Sequence, residues 1–200
     1  MNRIYFHFTV LFLLISLCAY SQKSRYRKEY DNNILTGLGF VKENTLDLPG
    51  FIINSSYLYR IGEKVDIAYS IAYSNCRSEE SGSLKSVNIF NGSFSCYLGR
   101  NLNRQLRISF GLGGIINKYL WHFQTDPNAT LIFLKNNKLY EINENSVLDI
   151  SDKPGFGYNI SFLVKYRISP RIILTFQPLL QNDTNGNALF MAGAGAGYAF

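Results

Sequence analysis

After residue 21 the chain contains a single histidine, His122, in the run Tyr119-Leu120-Trp121-His122-Phe123. An imidazole beside a hydroxyl and a carboxylate can serve as a general base for a nucleophile. Thr125 and Asp126 are close in sequence, but their spacing matches no hydrolase motif. His122 therefore reads better as part of an aromatic cluster, with catalysis as the weaker alternative. Asp149 with Asp152, and Glu79 with Glu80, could touch calcium, yet neither pair fits a calcium-binding loop. No Cys/His cluster offers a zinc site. The expectation is no enzyme, no metal and no cofactor. A further set is basic: Arg60, Lys64, Arg107, Lys165 and Arg167, with Asp66 as the one acid among them. Brought together, these groups would bond to one another through water, Asn159, Gln177 and backbone, or else hold an anion or an acidic partner.

The elements that must position these residues follow from where the chain goes. Met1-Asn2-Arg3 precedes an almost wholly apolar run, 4–19, which closes on Ala19-Tyr20-Ser21. That is the pattern of a secretory signal peptide, 1–21, with the mature chain starting near Gln22. An uncleaved anchor helix is the alternative. A lipoprotein is disfavoured because Leu17, not a small residue, precedes Cys18. Losing Arg3 leaves 19 bases against 14 acids, or +5. An exported chain of that charge is not expected to meet nucleic acid. No mature stretch has the ~18 apolar residues of a spanning helix.

The mature chain is rich in aromatic, β-branched, Asn, Ser and Gly residues and has period two. In 64–74, Val65, Ile67, Tyr69, Ile71 and Tyr73 alternate with Asp66, Ala68, Ser70 and Ala72. Similar alternation marks 34–41, 50–61, 84–98, 105–119, 155–169, 171–180 and 187–200, which makes eight strands. Val87 and Ile89 share one phase while Phe94, Cys96 and Leu98 share the other, so a bulge is expected near Asn91-Gly92. Several strands exceed the usual ~5–6 residues and reach the ~9–11 needed to cross a bilayer. Unpaired backbone is not tolerated in lipid, so such strands must close into a barrel.

The connections alternate between longer and shorter, as in barrels with external loops and periplasmic turns. Ten of the fourteen acids fall in the loops assigned outside, among them Glu43, Asp47, Glu79, Asp149 and Asp183. Bases gather at the other end: Arg60, Lys64, Arg100, Arg104, Arg167 and Arg171. By phase, Leu163, Ile173, Leu179 and Met191 also point inward and should plug the bore. Cys76 and Cys96 are expected at opposite ends of neighbouring strands, with residue 76 facing ~84 and the thiols ~40 Å apart, too far for a disulfide. The connection 120–154 is the longest. Within it, Leu131, Phe133, Leu139 and Tyr140 flank a polar turn at 135–138 and predict a hairpin that extends strands five and six and offers an edge to a partner. The rival is two more spanning strands, giving ten.

The last strand ends in Ala-Gly alternation followed by Tyr198-Ala199-Phe200. A glycine followed by two aromatics at alternate positions, Gly195, Tyr198 and Phe200, resembles the C-terminal signal by which bacterial outer-membrane proteins are recognised for assembly. The whole mature chain resembles the small eight-stranded outer-membrane β-barrel proteins of Gram-negative bacteria, the OmpA/OmpX type and the broad outer-membrane β-barrel families related to it. That resemblance implies an all-β, eight-stranded, antiparallel up-and-down transmembrane barrel over 34–200, after a periplasmic segment, 22–33. It implies residence in the outer membrane, contact with its lipid and lipopolysaccharide, and a meeting with the barrel assembly machinery. The expected role is structural or interactive, through external loops and an unknown protein partner, as an accessory of an envelope or secretion system. A lipid-modifying enzyme centred on His122, or a narrow channel, are the alternatives.

Overall fold

The computed structural model describes residues 32–61, 64–80, 83–124, 131–135, 138–142 and 147–200. The expected signal peptide and most of the 22–33 segment lie outside the described residues, as do Thr125 and Asp126.

Eight long antiparallel strands close on themselves: β1 (Asn32–Glu43), β2 (Leu48–Ile61), β3 (Val65–Glu80), β4 (Ser83–Asn101), β5 (Leu106–Gln124), β9 (Gly155–Arg167), β10 (Ile172–Asp183) and β11 (Ala188–Ala199). The closing seam pairs β1 with β11 from Asn33–Ala199 to Glu43–Leu189. The barrel therefore begins at Asn32, two residues before the expected 34.

The register fixes the shape. From Asn33, paired residues lead through Leu58, Ala68, Ser95, Gly113, Asn159, Gln181 and Leu189 back to β1 at Glu43, ten residues further on. A shear of ten on eight strands, at ~3.3 Å per residue and ~4.7 Å between strands, tilts the strands by about 41°. This lies within the range of small membrane barrels.

Alternation then sorts the side chains. Odd positions on β1 and β4, and even ones on β2 and β3, point into the bore. Their neighbours form an exposed apolar belt that includes Ile34, Leu38, Phe51, Tyr69, Ile71, Phe94, Leu112, Phe162 and Phe176. A continuous exposed apolar surface of this extent is a lipid-facing surface.

Three expectations are corrected. β4 has no bulge at Asn91-Gly92: its pairing with β3 runs unbroken from Glu80–Ser83 to Val65–Leu98. Val87 and Ile89 face inward because the outer half of the bore is apolar, while Phe94, Cys96 and Leu98 face lipid. The extension of β5 above the barrel is completed by β8 (Val147–Ser151), which pairs with Leu120–Gln124. The expected hairpin does form, as β6 (Leu131–Lys135) and β7 (Lys138–Ile142), but as a separate two-stranded sheet. Five residues each cannot cross a bilayer, so the count is eight. Finally, Cys76 pairs with Val87 rather than residue 84, since β3 and β4 stay paired to Glu80–Ser83. Cys96 sits opposite Ile67, nine residues along β3 from Cys76, which is ~30 Å rather than ~40 Å. Cys76 is buried in the bore and Cys96 exposed on the belt, so both remain free thiols.

Candidate functional site

The bore is built in three tiers. At the inner end Asp66, 1% exposed, is the hub. Arg60 Nε donates to its Oδ1 (3.2 Å), while Arg107 Nε (3.2 Å) and Lys165 Nζ (2.7 Å) donate to its Oδ2. These side chains come from β2, β3, β5 and β9, so one carboxylate ties four of the eight strands. Arg107 Nη1 also donates to Asn101 Oδ1 (3.2 Å). Beneath the hub a cavity of about 30 Å³ is lined by Asn33, Arg104 and Arg167 among others. Arg167 is half-buried there, and Lys64 is exposed in the β2–β3 turn rather than inside the bore. Three of the five expected basic residues thus bond Asp66, and a fourth, Arg167, lines the cavity beside them. Lys64 misses the cluster because β2 ends at Ile61 and β3 starts at Val65, leaving it in the connection.

The middle tier is neutral and polar. Tyr97 Oη accepts hydrogen bonds from Ser161 Oγ (3.0 Å) and Gln177 Nε2 (2.8 Å), and Ser95 Oγ donates to Asn159 Oδ1 (3.1 Å). Asn159 and Gln177 therefore hold the middle of the bore, not the basic cluster as expected. Asn91 Nδ2 donates to Asn117 Oδ1 and to Gln181 Oε1 (2.8 Å), and Asn117 Nδ2 donates to Asp183 Oδ2 (3.2 Å). A cavity of about 50 Å³ lies among these groups.

The outer tier is an apolar plug. Tyr119, Trp121 and Phe123 stack along β5, with ring centroids 5.9 and 6.1 Å apart and planes within 13° and 3°. They pack with Val41, Leu48, Val87, Ile89 and Leu189. Trp121 Nε1 donates to Asp152 Oδ2 (3.0 Å), which answers the polar end of the one tryptophan. Of the residues expected to plug the bore, Leu163, Ile173 and Met191 are buried, and Leu179 packs partly buried against the plug.

The aromatic stack within the plug was not anticipated from the sequence, although its signal was there. Counting by twos from inward-facing Arg107 reaches Tyr119, Trp121 and Phe123. Three acids assigned to the outer loops also turn inward. Glu43, fully buried, accepts the N–H groups of Thr45 (2.8 Å) and Leu46 (2.9 Å) and shapes the β1–β2 loop. Asp183 accepts those of Asn185 (2.9 Å) and Asn187 (3.2 Å) in the turn where Gly186 takes a positive φ of 77°. Asp152 caps Trp121, as above.

His122 faces outward above the belt. Its Nδ1 lies 2.7 Å from Asp149 Oδ1, an exposed pair across β5 and β8. Its neighbour on β4 is Ser86, which makes no hydrogen bond to it. Among the described residues the imidazole is thus oriented by a carboxylate and bonded to no hydroxyl. Among the described residues no group of three or more His, Cys, Asp or Glu side chains is placed to hold a metal. Leu131, Phe133, Leu139 and Tyr140 fall on the β6–β7 hairpin, where Phe133 pairs with Tyr140 and Leu134 with Leu139. Gly195 lies inward at the β1–β11 seam, whereas Tyr198 and Phe200 are exposed on the lipid face, with Phe200 6.4 Å from the Tyr57 ring. The terminal run thus divides into glycines that fit the seam and aromatics at the inner membrane interface.

Among solved structures, the chain is similar to Neisserial surface protein A, at 13% identity over 84% of this chain and 97% of that one, with a TM-score of 0.60. It is similar to Ail, the attachment invasion locus protein of Yersinia pestis, at 15% identity over 86% and 100%, TM-score 0.56. A major outer membrane protein from Thermus thermophilus matches at 11% identity over 84% and 99%, TM-score 0.51. At these identities the likeness is one of fold. No protein-family model matches the chain, and no curated protein sequence is detectably similar to it. The closed eight-stranded barrel and its lipid-facing belt make this an integral outer-membrane β-barrel protein.

Proposed function

We propose that the protein is a non-catalytic, non-conducting surface barrel that works through the structure it raises outside the membrane. The observation that carries this reading is the unequal height of the wall. β4 and β5 have 19 residues each, against 12 in β1 and in β11, and the excess lies at the outer end. At the tilt given above, 19 residues rise about 47 Å, roughly twice the ~25 Å apolar band of such barrels. β3, β4, β5 and β8 together form an external sheet beside the 125–146 connection. Among the described residues β8 pairs with β5 alone, which leaves it an edge suited to strand addition by a partner. Leu131, Phe133, Leu139 and Tyr140 on the β6–β7 hairpin are the proposed partner loop.

The structure of Ail was solved in complex with the heparin analogue sucrose octasulfate. Of the ten acids in the outer connections, Glu43, Asp152 and Asp183 turn into the bore, which leaves seven to oppose a polyanion on that side. A channel is disfavoured by the filled bore.

The test combines three measurements on the mature chain. In planar bilayers no conductance steps should appear. Ester and peptide probes should show no turnover that depends on His122. An Asn136→Cys variant should react with a membrane-impermeant maleimide in intact cells. Conductance or His122-dependent turnover would replace this reading with one of its rivals, and protection of residue 136 until the outer membrane is permeabilised would remove the hairpin as a partner loop.

For biogenesis, Gly195, Tyr198 and Phe200 are proposed as the segment that the barrel assembly machinery reads. Removing the aromatic at 200 should lower the amount inserted in the outer membrane. Unchanged insertion would refute that role.

A further inference from the structure

The outer face carries an open hollow of about 720 Å³ in the upper half of the lipid belt. Its floor is Gly92 on β4. Its walls are Ile71, Tyr73, Phe90 and Ile116, and Lys118 stands on its rim. Tyr73 and Phe90 pack together above it, with ring centroids 5.2 Å apart. A second hollow of about 540 Å³ adjoins it below and shares Ser55, Ile71 and Gly92.

Two observations show that the hollow is not a by-product of strand packing. The inward glycines of the barrel are sterically required: a Cβ at Gly50 or Gly157 would collide with the backbone of the next strand. Gly92 is different. A Cβ there meets nothing within 4 Å, and its φ is not in the positive region. Gly114, its diagonal neighbour across β4–β5, is similar, with the nearest atom 3.9 Å away. Glycine inside a strand is unfavourable on its own account. The two described strand glycines that no contact demands thus lie side by side at one place on the lipid face. The second observation is Lys118. On β5 the outward positions Ile108, Phe110, Leu112 and Ile116 lie in the belt, and Lys118 is the first charged group above them. It is exposed and makes no ion pair with any described residue.

We infer that this hollow seats an outer-leaflet acyl lipid with an anionic phosphomonoester headgroup, as distinct from a zwitterionic phosphodiester, with an acyl chain over Gly92 and the phosphate on Lys118. The belt position dictates a lipid occupant, since every wall of the hollow faces hydrocarbon. The lysine at the headgroup level selects an anionic headgroup, as cations near an anionic membrane surface do. The missing side chain at Gly92 supplies the depth in which the chain lies against Ile71, Phe90 and Ile116. The inference uses the membrane face alone and is independent of the external wall.

Native mass spectrometry of the full mature barrel, released from detergent, tests it with three added lipids: phosphorylated lipid A, the same lipid dephosphorylated, and phosphatidylethanolamine. Phosphorylated lipid A should be retained about fivefold better than the dephosphorylated form, the value of one lysine at a charged interface. Lys118→Gln should erase that difference. Gly92→Leu fills the hollow without touching the fold, because the space beside it is empty, and should reduce binding of both lipid A forms about tenfold. A compact unboiled band on a denaturing gel confirms that each variant folds. Equal retention of phosphorylated and dephosphorylated lipid would overturn the inference, as would wild-type binding by folded Gly92→Leu. Loss of binding by Lys118→Gln to phosphatidylethanolamine as well would show a general packing defect and would also count against it.

Discussion

Replacing Asp66 with asparagine should cost the barrel about 3–5 kcal/mol, the range for stranding buried charge by removing its partner. Asn has nearly the shape of Asp, so packing is preserved and the loss is electrostatic. Arg60, Arg107 and Lys165 would keep their positions at 7%, 5% and 5% side-chain exposure with no carboxylate between them. Urea unfolding of the mature chain in lipid vesicles measures the effect. Two further features separate this from a surface ion pair. Salt up to ~1 M should change the wild-type stability little, because buried pairs are poorly screened. Adding Lys165→Met to Asp66→Asn should restore part of the loss, because a neutral pair replaces a stranded cation. An Asp66→Asn barrel within ~1 kcal/mol of wild type, a difference typical of exposed pairs, would show that the hub does not hold the four strands together.

The same hub illustrates what the sequence makes legible. Period two is forced by the pleat, so the eight strands, their inward phase and the basic inner end follow directly from alternation. Asp66 was identifiable as the one acid among inward-facing bases because the inner half of the bore is polar and the belt apolar, so the two faces differ in chemistry. In the outer half that contrast vanishes. Val87 and Ile89 point in while Phe90 points out, and Tyr119, Trp121 and Phe123 point in beside Leu120. With both faces apolar, alternation no longer reports phase. A bulge is then the natural reading of a strand that has none, and nothing in the aromatic cluster around His122 tells that Trp121 fills the bore.

The pairing of β8 with the top of β5 lies beyond sequence reasoning for another reason. Val147–Ser151 is five residues with a weak pattern, and its partner is 23 or more residues away across the longest connection. Nothing local encodes that contact. It forms because the outward turn of 152–154 carries the chain past the end of β9, and Leu148 and Ile150 find the apolar plug. The His122–Asp149 pair is a consequence of that register, and no local pattern in the sequence pointed to it.

The alternating terminus is where composition, closure and assembly meet, and it yields the other large effect. On β11, Gly193 and Gly195 face Gly39 and Gly37 of β1 across the seam that closes the barrel. A Cβ on Gly195 would stand 2.5 Å from the Thr36 carbonyl oxygen and 2.8 Å from Gly37 Cα. One on Gly39 would stand 2.5 Å from Gly193 Cα and collide with the Ala192 carbonyl. Those are backbone atoms, so no rotamer change relieves the clash, and the two strands must separate. Separation at this seam leaves a row of N–H and C=O groups unpaired in lipid, at several kcal/mol each, which a membrane barrel cannot sustain. Gly39→Val and Gly195→Val should therefore fail to give the compact, protease-resistant form after refolding into vesicles. Ala194→Val adds bulk on the same strand, but toward lipid, and should fold as wild type. If all three variants close equally well, the glycine run is not there to let β1 and β11 approach. If Ala194→Val fails with the other two, bulk anywhere on β11 is harmful and the inward face has no special role.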